Sequence, residues 1–241
     1  MRYVAITLHI PHLQVSLDLD IPWLMPIPLF LHQALPAILQ QKGHTFWVPE
    51  GQMPRLVKRM YNRSVPLLTH TFRGSGIYDG HILMLEMVPR PPWHDPYRFF
   101  LEEVLETQEE TRATASERIY LSQTRIRLGR HDLRRQYTTD VDLSLFPGGR
   151  HVSRRHALLQ WHRGHFYLYD RGSRNHTYLN GQILVPKQAY ILRPGDRVSF
   201  AKRMLFVFRD ALQDHEPDEE HAKASPVSSA STHSGKERGV G

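Results

Sequence analysis

The chain of 241 residues contains no cysteine, which excludes disulfide bonds, thiolate nucleophiles and zinc sites that need sulfur ligands. It also has no run of about 18 apolar residues, so the sequence predicts no transmembrane helix. The first residues alternate between apolar and polar side chains and lack the continuous apolar stretch of a signal peptide. These absences fit a reducing compartment, and we predict a cytoplasmic location.

Acidic residues are scarce in one part of the chain. Residues 119–213 carry 17 Lys and Arg against 6 Asp and Glu, a net charge of +11, whereas residues 1–118 are close to neutral. The net charge of +7 of the whole chain therefore arises in this one segment. A confined basic excess indicates an anionic partner, either nucleic acid or a phosphorylated protein, although a charge that serves only solubility gives the same count.

The N-terminal segment begins with two alternating runs. Apolar residues occupy every second position of residues 4–10 and, after a turn at Pro11-His12, of residues 15–21. Alternation with a period of two in neighbouring runs predicts a β-hairpin with one buried face.

A helix is predicted after this hairpin, ending at Gly43 and kinked or broken at Pro36. Residues 44–48 predict a short strand, and residues 76–85 predict a turn followed by a final strand. No pattern explains residues 54–66, which we expect to be irregular. The buried face of the helix is predicted to contain Leu31, Leu35, Ile38 and Leu39.

This order of elements resembles the β-grasp fold of the ubiquitin-like proteins associated with type VII secretion systems. The resemblance covers roughly residues 3–88 and rests on three features: the segment LDLDIP at 17–22, Trp47 in the third predicted strand, and the closing turn SGIYDGHIL at 75–83. It implies an α+β, ubiquitin-like domain over residues 1–90. Such a domain would supply a second contact, for instance to a membrane or secretion assembly.

Two segments are predicted to lie outside compact domains. Residues 91–118 read as an acidic, partly helical linker, and residues 214–241, with almost no large apolar side chains, as a disordered tail. Thr107, Thr111 and Thr114 of the linker suggest a regulatory hypothesis, in which their phosphorylation lets the linker occupy the binding site of the C-terminal domain.

The C-terminal segment, residues 119–213, is a series of short apolar or alternating runs separated by turn residues. Close spacing without helical periodicity predicts a β-sandwich or barrel. Polar residues stand at the ends of these runs, where loops at one edge of a sheet can offer fixed donors to an anion. They are Gly129-Arg130, Ser153-Arg154-Arg155-His156, Asp170, Ser173-Arg174-Asn175-His176-Thr177 and Asn180-Gly181.

This spaced set resembles the forkhead-associated (FHA) domains, β-sandwiches that bind phosphothreonine peptides on the loops at one end. The resemblance covers essentially all of residues 119–213, including the turn LRPGD at 192–196. It implies an all-β FHA sandwich, a phosphothreonine-containing protein or peptide as partner, and a Ser/Thr protein kinase upstream. It also implies a preference for threonine over serine, because the family packs the γ-methyl group in a small pocket.

The family's roles carry over to five candidate phosphopeptide-binding residues. Arg130 is expected to pair with the phosphate, Ser153 to donate its hydroxyl and backbone amide to it, and Arg154 to support phosphate or peptide. Arg174 adds a second charged clamp, and Asn175 is expected to hydrogen-bond the peptide backbone. Charge-assisted hydrogen bonds of this kind contribute about 1.5–3 kcal/mol each.

Five further residues are expected to support the site. Gly129 is assigned to a backbone turn, and His156 to tying the binding loops together. Asp170 and Thr177 are expected to fix a loop, and Asn180, with the following glycine, predicts a hairpin turn of the primed type.

The chain departs from the family at His176, where glycine is usual. If that position requires a positive φ, a histidine there costs about 1 kcal/mol, which affects the pose of Asn175. The loop at 131–137 contains Arg134 and Arg135, which either add positive potential near the site or are simply solvated.

Catalytic and metal-binding interpretations find little support. A hydrolase built on Ser153, His156 and Asp170 needs a nucleophile elbow, and the chain has no G-x-S-x-G. The histidines at 151, 156, 162, 165 and 176 follow no metal-ligand spacing, and no G-x-x-x-x-G-K-[S/T] is present. We therefore expect no enzymatic activity, no metal and no cofactor.

The sequence thus predicts a phosphothreonine-dependent adaptor in Ser/Thr kinase signalling. Two alternatives stay open: a phosphate-independent scaffold of a secretion-type assembly, and a nucleic-acid-binding protein that uses the basic surface. We do not favour nucleic acid, because no motif of interleaved aromatic residues accompanies the basic ones.

Overall fold

The computed structural model describes residues 2–61, 63–105 and 116–213. The predicted disordered tail at 214–241 and the linker threonines at 107, 111 and 114 lie outside these ranges. No helix in the described ranges is long and apolar enough to cross a membrane. The described residues form mostly β-sheet, together with one helical segment and several short 3-10 turns.

The first sheet has five strands and contains the predicted hairpin. The strands are β1 (Tyr3–Ile10), β2 (Val15–Pro22), β3 (Gln52–Met60), β4 (Arg63–Pro66) and β5 (His81–Pro89). Their order in the sheet is β2-β1-β5-β3-β4, with β1 antiparallel to β2 and parallel to β5. Every second residue of β1, from Val4 to Ile10, is buried, as the alternation predicts.

The helix packs on the buried face of this sheet. It begins as α1 (Ile27–Leu29), widens into a π-helical segment (Phe30–Ala34) and continues as α2 (Leu35–Gln41). Pro36 has no N–H to bond to the preceding turn, and the π-helical segment directly before α2 accommodates this loss. The predicted break is therefore a local widening of one continuous helical segment. Phe30, Leu31, Leu35 and Leu39 lie in the core.

The third strand lies later than predicted. Residues 44–48 form no strand, and Trp47 is exposed. Strands β3 and β4 instead arise from the stretch that we expected to be irregular. Pro54 obscured the strand pattern, yet it is tolerated because β4 pairs only with Val57–Met60, which leaves one side of Pro54 without a strand partner.

The C-terminal strands form the predicted β-sandwich. The strands are β6 (Phe99–Glu103), β7 (Arg118–Tyr120), β8 (Arg125–Gly129), β9 (Val141–Asp142), β10 (Ala157–His162), β11 (His165–Asp170), β12 (Thr177–Leu179), β13 (Gln182–Ile183), β14 (Tyr190–Ile191), β15 (Arg197–Phe200) and β16 (Met204–Asp210). One sheet has the order β14-β11-β10-β8-β9 and the other β13-β12-β15-β16-β6-β7. The inward side chains of both sheets share one core, which contains Leu159, Phe200 and Phe206.

Strand β6 corrects the interpretation of the linker. It pairs with β16 on one side and with β7 on the other, so the helical interpretation of residues 99–103 is wrong. Phe99 and Leu101 are buried in the sandwich core, while Phe100 packs on Tyr120 with ring centroids 6.1 Å apart. Apolar side chains are thus buried on both faces of β6, which fits a strand covered on both sides and not a solvated helix.

Backbone pairing joins the first sheet to the sandwich. The amide of Tyr120 donates to the carbonyl of Leu68, and the amide of His70 donates to the carbonyl of Arg118, both at 2.7 Å. The carboxylate of Glu117 accepts hydrogen bonds from the amide and the hydroxyl of Thr71, each at 2.8 Å. The two halves therefore meet in an ordered, strand-like contact.

Candidate anion-binding site

A cavity of about 820 Å³ opens at one end of the sandwich, where the loops after β8, before β10 and after β11 meet. Its lining contains seven arginines and no carboxylate. Within the described ranges only Arg154 of the seven forms an ion pair, with Asp132 at 3.3 Å. Crowded, unpaired positive charges make this cavity a strong candidate for binding an anion. The seven are Arg130, Arg135, Arg150, Arg154, Arg155, Arg171 and Arg174.

The cavity brings together all five residues that the sequence proposed for phosphopeptide binding. Arg130 follows β8, Ser153 and Arg154 precede β10, and the third loop supplies Arg174 and Asn175. Of the two loop arginines whose position the sequence left open, the one at 135 lines the cavity and the one at 134 does not.

His156 is fully buried and joins two of these loops. Its Nδ1 accepts a hydrogen bond from the amide of Ser153 at 3.1 Å, and its Nε2 donates to the carbonyl of His176 at 3.1 Å. Burial lowers the pKa of His156 and outweighs the opposite effects of that carbonyl and of Asp170. A neutral ring that accepts at one nitrogen and donates at the other matches both partners.

The geometry of Ser153 differs from the expectation. Its backbone amide is already bonded to His156 and cannot also donate to a phosphate. Its hydroxyl oxygen accepts a hydrogen bond from the amide of Arg174 at 3.0 Å. The hydroxyl hydrogen is then the group that Ser153 can offer to an anion.

Gly129 is needed for a close approach, and the expectation of a backbone turn was wrong. Its φ lies outside the left-handed region. A Cβ at this position would overlap the carbonyl oxygen of Arg154 and would lie 2.9 Å from that of Ser153. The amide of Arg130 donates to the Ser153 carbonyl at 3.2 Å, so the end of β8 packs directly on the loop before β10.

Asp170 fixes the loop that carries Arg174 and Asn175. Its carboxylate accepts hydrogen bonds from the amides of Gly172 and Ser173, at 2.7 and 2.9 Å, and from the hydroxyls of Ser173 and Thr177, at 2.6 and 2.8 Å. Burial alone raises the pKa of a carboxyl group, but these four bonds more than offset it and leave the pKa of Asp170 below its usual value.

The same loop contains the departure at His176. Its φ is +59°, so the position does adopt the left-handed conformation that favours glycine. The side-chain amide of Asn175 donates to the carbonyl of His151 at 2.9 Å. That bond orients the amide and leaves its oxygen for a ligand.

Asn180 supports the next hairpin and does not line the cavity. Its Nδ2 donates to Asp196 and its Oδ1 accepts from the amide of Arg197, both at 2.8 Å. Asn180 and Gly181 have φ of +50° and +81°, the pair of left-handed conformations that a primed hairpin turn requires.

Sequence reasoning missed several residues that line the cavity. Four of them lie within three positions of a proposed binding residue or of Asp170, so their shared loops were the available signal. The fifth, Tyr137, closes a loop in which only the arginines drew attention. The polar lining residues to which the sequence assigned no binding role are Tyr137, Arg150, His151, Arg155 and Arg171; Val152 and Gly172 also line the cavity.

The geometry offers no support for a Ser-His-Asp catalytic arrangement. The ring of His156 bonds the amide of Ser153 rather than its hydroxyl, and Asp170 bonds its own loop rather than His156. Among the described residues, no group of three or more His, Asp or Glu is placed to hold a metal ion.

Comparisons with known proteins match the FHA family over part of the chain. Residues 126–201 match the family model of the FHA domain. The protein FraH of Nostoc sp. is 44% identical over 69 residues, which are 29% of this chain and 24% of FraH. The oxoglutarate dehydrogenase inhibitor of Corynebacterium glutamicum is 33% identical over 94 residues, 39% of this chain and 57% of that protein. The chain thus spans less than two thirds of these two relatives.

Among solved structures, the FHA domain of a Chlamydia trachomatis protein is similar to this chain, with 20% sequence identity and a TM-score of 0.37. The match covers 47% of this chain and 97% of that domain.

Proposed function

We propose that this protein is a phosphothreonine-dependent adaptor that recruits phosphorylated partners in Ser/Thr kinase signalling, through the FHA domain that the family model matches at residues 126–201. The observation that supports the proposal is that seven arginines line one cavity together with Ser153 and Asn175. The protein acts by binding, and no catalytic step is assigned to it.

The phosphate binds by charge-assisted hydrogen bonds. A phosphothreonine carries a charge of about −1.5 to −2 at neutral pH and three acceptor oxygens. Arg130 supplies one guanidinium, which its Nε contact to the Val152 carbonyl at 3.4 Å directs. Arg174 supplies a second guanidinium, and Ser153 its hydroxyl hydrogen.

The peptide backbone binds beside the phosphate. The side-chain oxygen of Asn175 accepts from a peptide amide, because its Nδ2 is bonded to His151. Arg154 lines the same wall and its ion pair with Asp132 holds it in place, so it positions the ligand. These groups are fixed before binding, which lowers the entropy cost of association.

The N-terminal half belongs to the same proposal as a ubiquitin-like, β-grasp domain of residues 1–90. The support is the strand order β2-β1-β5-β3-β4, with β1 and β5 parallel and the helical segment between β2 and β3. A division at residues 90, 118 and 213 and a cytoplasmic location remain predictions. The ordered contact at Glu117 and Thr71 favours a fixed orientation of this domain on the FHA sandwich.

Titration calorimetry of the full chain tests the function. The ligands are matched degenerate peptide pools that contain phosphothreonine, phosphoserine or unphosphorylated threonine. We expect the phosphothreonine pool to bind best, and Arg130→Ala to weaken that binding about 10- to 100-fold, the equivalent of one charge-assisted hydrogen bond.

Arg134→Ala is the matched control, since this arginine is exposed in the neighbouring loop and does not line the cavity. It should leave binding almost unchanged. Equal binding of the unphosphorylated pool, or no binding of any pool, contradicts the proposal and favours a phosphate-independent scaffold.

A further inference from the structure

A second, smaller space adjoins the arginine-walled cavity. It has a volume of about 190 Å³, and three residues line both spaces: Tyr137, Arg155 and Arg171. We call it the side groove. Beyond the shared wall it extends over the outer face of β8 and β10, where Arg125, Arg127 and Leu158 line it.

The strand pattern of β8 places arginines on this outer face. Ile126 and Leu128 are almost fully buried in the sandwich core, so Arg125 and Arg127 alternate to the opposite side. Leu158 of β10 stands opposite Arg127 in the strand pairing and is 5% exposed. The side groove therefore has an apolar floor beneath charged side chains.

Most of the charge in the side groove lacks a partner within the described part of the chain. Arg127 is committed to Asp140, which accepts from its Nε at 2.8 Å and from its Nη2 at 2.5 Å. Arg125, Arg155 and Arg171 form no ion pair with a described carboxylate. Over an apolar floor such charges are screened less than in open water and attract an anion more strongly.

The wall shared by the two spaces is ordered. Asp132 and Tyr137 exchange two backbone hydrogen bonds, at 2.9 and 3.0 Å, and these close the loop between them. The guanidinium carbon of Arg155 lies 5.6 Å from the centre of the Tyr137 ring, within the range of a cation–π contact. This contact places the Arg155 guanidinium beside the Tyr137 ring at the shared wall.

A single phosphothreonine leaves a large positive excess. Six arginines of the main cavity have no described carboxylate partner, whereas one phosphothreonine supplies about two negative charges. The remaining charge, about four, favours a ligand with additional acidic groups, and the side groove is the space directly beside the phosphate site.

We propose that the ligand carries a second acidic group, a carboxylate or a second phosphate, which binds in the side groove while its phosphothreonine occupies the main cavity. This inference rests on the proposed function. The preferred partner is then a phosphothreonine segment with an acidic or doubly phosphorylated neighbourhood, and Arg125 is a specificity-determining residue.

The test compares peptides of one sequence with the full chain by fluorescence anisotropy. The reference peptide has one phosphothreonine and neutral flanks. Each panel peptide adds one glutamate, or one further phosphothreonine, two to six residues from the first phosphothreonine on either side. A range of positions is needed because the distance along the peptide depends on how it runs from the main cavity to the side groove. We expect one or two placements to bind about fivefold tighter or more than the reference.

Arg125→Gln should abolish that gain while the affinity for the reference peptide stays within about twofold, since Arg125 does not line the main cavity. Arg163→Gln, which changes an exposed arginine at the turn between β10 and β11, should leave the gain intact. The glutamate and phosphate arms distinguish the two sources of negative charge.

Each failure has its own meaning. If the reference peptide binds but no placement binds more tightly, the side groove does not bind a second acidic group, and the proposed adaptor function is unaffected. Absence of binding by every phosphothreonine peptide overturns both. Tighter binding of a single-stranded oligonucleotide than of any peptide, weakened by Arg125→Gln, assigns the side groove to nucleic acid and also overturns the inference.

Discussion

The buried ring of His156 holds the backbone of Ser153, whose amide donates to Nδ1 at 3.1 Å. Replacing His156 by Phe keeps the volume of the ring but leaves this amide without its partner. The carbonyl of His176 is less affected, because the amide of Ala201 also donates to it at 3.0 Å. We expect His156→Phe to lower the free energy of unfolding by about 1–3 kcal/mol, measured by urea unfolding.

The same variant should weaken phosphothreonine-peptide binding, since the loop that carries Ser153 loses its anchor. His162→Phe is the control, because that histidine is exposed at the far end of the same strand. Equal stability of the two variants would show that the bond to Ser153 contributes nothing measurable.

His156 also predicts a pH dependence of stability. Burial lowers its pKa in the folded protein, whereas an unfolded histidine titrates near pH 6.5. Below that pH the unfolded chain binds more protons, so the contribution of His156, present above pH 6.5, is lost as the pH falls toward its folded pKa. The difference in unfolding free energy between wild type and His156→Phe should shrink between pH 7.5 and pH 5, and a constant difference contradicts this assignment.

Gly129→Ala tests the close packing of β8 on the loop before β10. The added Cβ meets the backbone carbonyls of Arg154 and Ser153, which cannot rotate away as a side chain would. We expect a loss of stability of about 2 kcal/mol or more, with a matching loss of phosphopeptide affinity. Thermal unfolding and peptide titration give the two readouts.

Gly164→Ala is the comparison, because Gly164 has a φ of +84° but open space around it. It should cost only the backbone strain of about 1 kcal/mol and leave peptide affinity unchanged. If the variant at Gly129 is no worse than the variant at Gly164, the close approach is not what requires glycine.

The residues of the candidate site could be predicted from the sequence more reliably than the strands on which the site is built. Arg130, Ser153 and Asn175 stand at turn boundaries with a fixed spacing, so their gathering on one edge followed from the sequence. Strand β6 did not, because the acidic residues around Phe99 and Leu101 masked a pattern that only the pairing partners β7 and β16 reveal. The local pattern of apolar residues in one segment does not show which distant strands that segment will pair with.

The side-chain partners inside the site were also beyond sequence reasoning. Motif position assigned the Ser153 amide to the phosphate, but the buried ring of His156 competes for it and holds it. The arginines at 150 and 171 lacked a motif role and became cavity residues only because their loops fold toward the same opening. Motif positions therefore predict which residues gather at the site. The hydrogen bonds made in the folded protein determine which donors of those residues can still bind a ligand.

His176→Gly tests the departure from the family pattern. The left-handed conformation of His176 costs about 1 kcal/mol for a side chain with a Cβ, while glycine adopts it freely but loses more entropy on folding. We expect a net gain in stability of about 0.5 kcal/mol, seen as a higher midpoint of urea unfolding. Arg174→Gly in the same loop, where φ is not positive, should instead lower stability, and the same sign for both variants contradicts the strain at His176.

Asp170→Asn tests the carboxylate that fixes the third loop. Asn keeps the shape, but it loses the negative charge that two amides and two hydroxyls now share. We expect a loss of about 1.5–3 kcal/mol in the free energy of unfolding at pH 7, whereas Asp20→Asn at an exposed position should be nearly neutral.

The Asp170 carboxylate also predicts a pH dependence. The folded pKa of Asp170 is depressed, so its stabilisation is present above the unfolded value near 3.8 and is lost as the pH falls through the folded pKa. Urea unfolding at pH 7 and pH 3 should therefore show the deficit of Asp170→Asn shrinking in acid, and a deficit that stays constant means that the charge is not what holds this loop.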